Sequence, residues 1–235
     1  LTGLKAYFDK HAWGNTRLGD LLVELERSSG RDLSTWAHAW LETSGVNLLR
    51  PVVEVDADGR YTSVAVEQEP PSSPPGVPAI LRPHRIALGL YDRTAGGLER
   101  VRRVEVDVVG ERTEIPELVG VPQPALLLLN DDDLTFAKIR LDDVSLGTAV
   151  ESLASLDSAL ARALIWAATW DMLRDAEMPM GDFLSLVESG LPSEDDISVV
   201  TTLLSQTKAA IEQFSGPGKR EGYRDRWAAL TLRLA

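Results

Sequence analysis

Cysteine is absent from all 235 residues of this chain. Disulfide bonds, thiolate zinc sites and cysteine nucleophiles are therefore excluded, and the composition fits a reducing compartment. No apolar run approaches the roughly 20 residues of a transmembrane helix, and no basic stretch followed by an apolar one indicates a secretory signal. We therefore expect a soluble, cytoplasmic protein.

Positive charge is also scarce, because 24 lysine and arginine residues face 36 acidic ones and the formal net charge is −12. Such a chain repels phosphate backbones and anionic membrane surfaces, so we expect neither nucleic acid nor membrane as a partner. Apolar residues make up 44% of a chain that is long enough to enclose a core. The composition predicts a globular protein.

The three histidines, His11, His38 and His84, do not form a recognisable metal site. No two of them have the i, i+4 spacing that places both rings on one helix face, and H-E-x-x-H does not occur. We interpret them as ordinary helix, interface or strand residues. The sequence thus assigns no metal ligand to this chain.

Two other catalytic sequence motifs are also absent. Residues 216–219, GPGK, resemble a phosphate-binding loop superficially, but Gln213 occupies the position of its first glycine and Arg220 replaces its hydroxyl residue. No G-x-S-x-G nucleophile elbow occurs. We therefore predict no catalytic residue here, and substrate-binding residues stay unassigned.

The acidic run Asp131–Asp133, preceded by Asn130, is the remaining candidate site. Its oxygen atoms could bind calcium, but the spaced ligands and the bidentate glutamate of a known calcium loop are missing. We favour a solvated hairpin turn, because Asn and Asp tolerate left-handed backbone conformations. An independent metal enzyme built on these carboxylates is the less favoured alternative.

Apolar residues at helical spacing predict three helices in residues 1–47, the second stopped at Gly30 and the third at Gly45. So short a segment cannot enclose its own tryptophans, so we expect it to pack on a larger domain. We interpret the six tryptophans as packing residues. The apolar stripes consist of Leu4, Tyr7, Phe8 and His11; of Leu18, Leu21, Leu22 and Leu25; and of Leu33, Trp36, Trp40 and Leu41.

Residues 48–143 alternate with a period of two and predict about seven short strands, best arranged as a β-sandwich. PVVEV and YTSVAVEQ form a hairpin around Asp58-Gly59, and the proline-rich stretch 69–79 is a loop. The run 125–142, ALLLLNDDDLTFAKIRLD, predicts a second hairpin that turns at Asn130.

Residues 144–235 are helical in pattern and suggest a repeat-like stack of short paired helices. We expect Ser145 to cap the first helix, Asp157 or Ser158 to cap the second, and Ser193 with Asp196 to form a capping box. The chain starts at Leu1 and stops inside a helical pattern, so we expect an excised piece of a longer protein.

Residues 3–51 resemble the end of the catalytic domain in aminopeptidase N type zinc metallopeptidases of the gluzincin family. Trp36, Trp40, Thr43 and Gly45 match that family's W-x-x-x-W and T-x-G pattern. The residues after Gly45 depart from the proline of many members, as in the actinobacterial-type branch. LRPHRIALGLYD, LLLLNDDDLTFAKIRLD and ARALIWAATWDMLRDAEM resemble the β-domain and the first C-terminal helices of that branch, so the likeness covers essentially the whole chain.

The resemblance implies an α+β multidomain layout. Residues 1–47 would be the helical tail of a thermolysin-like catalytic domain, 48–143 a β-sandwich, and 144–235 the beginning of a C-terminal helical domain. The parent enzyme would remove N-terminal residues from peptides with one zinc ion, held by H-E-x-x-H and a distal glutamate, while a G-x-M-E-N segment binds the substrate amino group. None of these motifs occurs in the chain.

Two functions follow as hypotheses. In the first, the chain is a noncatalytic C-terminal part of a zinc aminopeptidase; its partner is the catalytic domain of the same polypeptide, and it shapes access of peptide substrates. That hypothesis predicts exposed apolar patches on the two better-defined helices, which carry the Leu18–Leu25 and Leu33–Leu41 stripes. In the second, the chain is a freestanding protein-interaction module, which predicts that those faces are covered.

Overall fold

The computed structural model describes residues 1–234 and shows an α+β protein. Within these residues, three helices precede two β-sheets, and five helices follow them. The helices are α1 Thr2–His11, α2 Leu18–Ser29, α3 Ser34–Leu41, α4 Asp143–Ser152, α5 Ala159–Arg174, α6 Met180–Gly190, α7 Ile197–Gln213 and α8 Pro217–Leu234. The strands are β1 Leu48–Val55, β2 Tyr61–Glu69, β3 His84–Thr94, β4 Gly97–Val108, β5 Arg112–Glu114, β6 Leu126–Asp131 and β7 Lys138–Ile139.

The first three helices lie where the periodicity predicts them. α2 ends at Gly30, whose left-handed backbone (φ +69°) lets its N–H donate to the carbonyl of Glu26. α3 ends at Leu41, before the predicted stop at Gly45. Gly45 (φ +90°) instead turns the chain against Pro71, where a Cβ atom would collide with the proline ring.

The hairpin of β1 and β2 confirms the prediction made from Asp58-Gly59. Gly59 adopts φ +72° and donates its N–H to the carbonyl of Asp56 at 3.1 Å, which closes the turn. The two strands pair antiparallel along their length, from Leu48 opposite Glu69. Residues 70–83 form a loop, as the prolines require.

The seven strands form a four-stranded sheet of order β5-β2-β1-β7 and a three-stranded sheet of order β4-β3-β6. β7 pairs parallel to β1, whereas β6 pairs antiparallel to β3. The predicted hairpin around Asn130 is therefore wrong. The chain leaves one sheet at Asp131 and enters the other at Lys138, because the pairing partners of both strands lie far away in sequence.

Both sheets and the helices that follow share one apolar core. Leu88 and Leu127 from the three-stranded sheet and Ile165 and Phe183 from α5 and α6 are all fully buried in it. Within the described residues, α1, α2 and α3 contribute no side chain to this core. The first helices are thus attached to the protein by a separate set of contacts.

The helix caps partly differ from the predicted ones. Asp142, rather than Ser145, caps α4 by accepting the Ser145 N–H at 3.0 Å, since the chain becomes helical earlier than the apolar pattern shows. Ser158 caps α5, as one of the two predicted candidates. Asp196 alone caps α7, because Ser193 lies in a preceding 3-10 turn and donates to the carbonyl of Gly190. No helix within residues 1–234 combines the length and apolarity needed to cross a membrane.

Candidate functional site

The first three helices and the turn after α1 carry several large apolar side chains that are exposed to solvent, and we call this set the helical face. Trp13 is fully exposed and Phe8 is 65% exposed. Exposed large apolar side chains, where they adjoin, mark interaction surfaces of folded proteins. The helical face consists of Leu4, Phe8, Trp13, Leu18, Val23, Trp36 and Leu41.

The helical face is built on an ordered pair of helices. Gly3 of α1 lies so close to α2 that an added Cβ atom would collide with the Ser28 side chain. Glu24 of α2 is buried and accepts a hydrogen bond from Lys10 at 2.9 Å, and this bond lowers the pKa of the Glu24 carboxyl. The apolar residues are therefore displayed by fixed helices.

Arg82 fastens the end of α3 to the loop that leads into β3. Its buried guanidinium donates to the carbonyl of Ala39 at 2.7 Å, to Oγ1 of Thr43 at 2.8 Å, to the carbonyl of Ser44 at 3.1 Å and to Oδ1 of Asn47 at 2.9 Å. No carboxylate is among these partners. The cation instead binds the carbonyl group of Ala39 in the last turn of α3, at the negative end of the helix dipole, and three acceptors in the segment that follows the helix.

His84 lies beside this anchor and connects it to the β6–β7 loop. Its ring meets the edge of Trp40 with centroids 5.1 Å apart, and its Nδ1 lies 2.8 Å from Oγ1 of Thr135. Burial, with a smaller contribution from the charge on Arg82, lowers the pKa of His84 to about 4. The ring is therefore neutral at pH 7 and has a packing role, as the sequence predicted.

We expect this histidine to make the fold sensitive to acid. In the unfolded chain His84 binds a proton below its ordinary pKa of 6.5, whereas the folded protein resists protonation down to about pH 4. The contribution of neutral His84 to the free energy of unfolding is thus complete above pH 6.5. It is lost as the pH falls toward 4, and the loss is about 3 kcal/mol. Denaturant unfolding at pH 7 and pH 4 should show a smaller loss in His84→Phe, and equal losses in both proteins would contradict the assignment.

Arg140 forms a second anchor, between the four-stranded sheet and the turn after α5. Its side chain is completely buried and donates to Glu177 at 2.8 Å and to Asp175, which also accepts from Lys138 at 2.9 Å. Arg50 of β1 donates to the second oxygen of Glu177 at 2.8 Å. Burial raises the pKa of both carboxyls, but these hydrogen bonds outweigh it and leave the pKa of each lowered.

The structure does not bring the three histidines together. His11 lies on α1, His38 pairs with Glu42 on α3 at 3.0 Å, and His84 is buried below Trp40. Across residues 1–234, no three His, Asp or Glu side chains are placed to hold a metal ion. Of the tryptophans, Trp166 is in the core, but Trp13 and Trp36 are exposed on the helical face.

Of the acidic run only Asp131 is buried, whereas Asp132 is half-buried and Asp133 is exposed, and the run does not form the predicted hairpin turn. Asp131 is 2% exposed and accepts hydrogen bonds from the Tyr91 hydroxyl at 2.9 Å and from Arg100 at 2.8 Å. Gly89 makes room for it, because a Cβ atom there would collide with the carboxylate. The expected left-handed backbone does occur, at Asn130, Asp132 and Asp133. The sequence did not predict the burial of Asp131, because its partners Arg100 and Tyr91 lie 31 and 40 positions away.

The sequence of this chain is similar to those of known proteins. Residues 126–235 match the family of the ERAP1-like C-terminal domain. Aminopeptidase N of Streptomyces lividans is 55% identical over 233 residues, which are 98% of this chain and 27% of that protein. This chain is homologous to the C-terminal part of aminopeptidase N. It therefore spans about a quarter of the length of that relative.

Two further likenesses accompany this match. Aminopeptidase N of Lactococcus lactis subsp. lactis is 44% identical over 54 residues, or 23% of this chain and 6% of that protein. The crystal structure of Legionella pneumophila aminopeptidase A in complex with aspartic acid aligns over 97% of this chain and 32% of its own, with 15% identity and a TM-score of 0.45.

Proposed function

We propose that this chain is the noncatalytic C-terminal part of a cytoplasmic, zinc-dependent aminopeptidase that removes N-terminal residues from peptides. Its helical face packs against the preceding part of the same polypeptide, and its sheets and later helices shape the route of peptide substrates to the catalytic domain. The observation that carries the proposal is the 55% identity with aminopeptidase N over 98% of the chain.

The exposed helical face supports this role. Burying Phe8 and Trp13 would each remove a large apolar area from water, and aromatic side chains of this kind dominate interface energetics. The preceding part of the polypeptide is the proposed occupant, because the relative extends far beyond the 27% that this chain matches.

The residues of this chain do not fit zinc. The three histidines lie on separate elements, and no side chain among residues 1–234 completes a set of three ligands around any of them. We propose that the metal and the catalytic groups of the parent belong to the preceding part. This chain's own contribution is positional: Arg82 and Arg140 fix the helical face and the later helices onto the sheets.

We also propose the domain layout 1–47, 48–143 and 144–235. The absence of α1–α3 side chains from the shared core of the described residues supports the first boundary. In this layout the two sheets form a β-sandwich and α4–α8 begin a repeat-like helical domain; the second boundary separates strands from helices but not two cores, because both share one apolar core.

The alternative function, a freestanding interaction module, predicts that the apolar faces of α2 and α3 are covered. Val23, Trp36 and Leu41 are exposed instead, which favours the aminopeptidase proposal. We retain one function for this reason.

Zinc content and hydrolysis of aminoacyl anilides test the proposal directly. We expect purified residues 1–235 to hold no stoichiometric zinc and to release no product, whereas the complete polypeptide encoded by the gene should bind one zinc ion and lose activity with a chelator. Chelator-sensitive turnover by residues 1–235 alone would overturn the proposal, as would a complete polypeptide without peptidase activity.

A further inference from the structure

The loop between β6 and β7 displays a second set of exposed apolar side chains. We call residues 130–137 the Phe136 loop. Phe136 is 74% exposed and Leu134 is 44% exposed. Both side chains stand outside the helical face, and neither contributes to the core.

The Phe136 loop is held in one conformation by its own hydrogen bonds. The side chain of Asn130 donates to the carbonyl of Thr135 at 2.9 Å and accepts the Thr135 N–H at 3.1 Å, while the N–H of Asp133 donates to the Asn130 carbonyl at 2.9 Å. His84 holds the Thr135 hydroxyl from the other side at 2.8 Å. Leu134 and Phe136 flank Thr135, so these bonds also fix the backbone from which both exposed side chains extend.

The backbone of the loop suits its residue types. Three of its residues have left-handed backbones, a conformation that Asn and Asp tolerate better than other non-glycine residues. Asp131, anchored by Tyr91 and Arg100, fixes the start of the loop on the three-stranded sheet. The left-handed residues are Asn130 at φ 54°, Asp132 at φ 70° and Asp133 at φ 52°.

The Phe136 loop adjoins the anchor of the helical face. His84 contacts Thr135 of the loop and also Trp40 of α3, so one buried ring links the two surfaces. Phe136 and Val46, which follows α3 in the chain, line the same groove of about 450 Å³. A partner seated on the end of α3 would meet this loop next.

We propose that the Phe136 loop is a second docking element, which inserts Phe136 into the polypeptide that precedes this chain. The inference rests on the proposed function and names a further contact of the same partner. The occupant follows from the 27% share of the relative that this chain matches, and from the continuity of the loop with the anchor of α3. A loop already fixed in shape loses little conformational entropy on docking, which suits a buried aromatic anchor.

Hydroxyl-radical footprinting of residues 1–235 and of the complete polypeptide tests the inference. We expect the modification of Phe136, Phe8 and Trp13 to fall about tenfold in the complete polypeptide, as exposed rings become interface core. Protection of Phe8 and Trp13 with unchanged Phe136 would overturn the Phe136 inference and leave the proposed function standing. Protection of none of the three would overturn both.

A pair of matched variants supplies an energetic readout. Phe136→Ser should leave the thermal midpoint of residues 1–235 unchanged, because the ring is exposed there, but should lower that of the complete polypeptide. Val109→Ser, at another exposed apolar position after β4, should change neither midpoint. Equal midpoints for Phe136→Ser and Val109→Ser in the complete polypeptide would contradict docking by Phe136.

Discussion

Arg140→Ala is expected to lower the free energy of unfolding by about 3–5 kcal/mol, the largest single effect that the structure predicts. The substitution removes a fully buried side chain and leaves a cavity where it stood. It also takes away the guanidinium that lies between Asp175 and Glu177, so these carboxylates are left with Lys138 and Arg50 as their only cationic partners. Urea unfolding followed by circular dichroism measures the change.

Arg112→Ala is the matched control for this variant. Arg112 also contacts two carboxylates, Glu67 and Glu114, but all three side chains are exposed on the edge of the same sheet. Water screens such pairs, so the unfolding midpoint should not move measurably. A loss at Arg112 as large as that at Arg140 would show that burial does not determine the effect.

Arg82→Ala is expected to release the first three helices while the sheets stay folded. The variant leaves the carbonyl groups of Ala39 and Ser44 and the side chains of Thr43 and Asn47 without their shared donor, at a cost of about 3 kcal/mol. Because α1–α3 add no side chain to the shared core, this loss should be local. Hydrogen exchange should accelerate in residues 2–41 and stay slow in β3 and β6.

Two further variants, Arg82→Lys and Arg85→Ala, distinguish the effect of the shape of the Arg82 side chain from the effect of its charge. Lysine keeps the charge but cannot reproduce the planar fork that reaches four acceptors, so it should resemble the alanine variant. Arg85 is a neighbouring exposed arginine paired with Glu105 and Asp107, and its removal should leave exchange in α1–α3 unchanged. Slow exchange in α1–α3 of Arg82→Ala would contradict the anchoring role.

Local rules predicted much of this fold from the sequence alone. The turn at Asp58-Gly59 and the end of α2 at Gly30 depend on the backbone of a few adjacent residues, and both predictions are confirmed. The apolar stripes of α2 and α3 also predicted exposed apolar residues, since so few residues cannot cover their own tryptophans, and Val23, Trp36 and Leu41 are exposed.

Long-range partners account for the errors. Asn and Asp residues favour left-handed turns equally in a hairpin and in a crossing between sheets, so the sequence at Asn130 could not distinguish them. The pairing of β6 with β3 and of β7 with β1 determines that the chain crosses between the sheets at this point. Asp131 appeared solvated for the same reason, because its burial depends on Tyr91 and Arg100.

The interleaving of the two sheets constrains when the protein can fold during synthesis. β1 and β2 are the first strands to emerge from the ribosome, but β7, the other neighbour of β1, ends only at Ile139. The three-stranded sheet likewise waits for β6, because β3 lies between β4 and β6. Closing such distant pairings is slow. A nascent chain that has exposed only the β1–β2 hairpin therefore carries an open strand edge, and both sheets become complete within the same short stretch of translation.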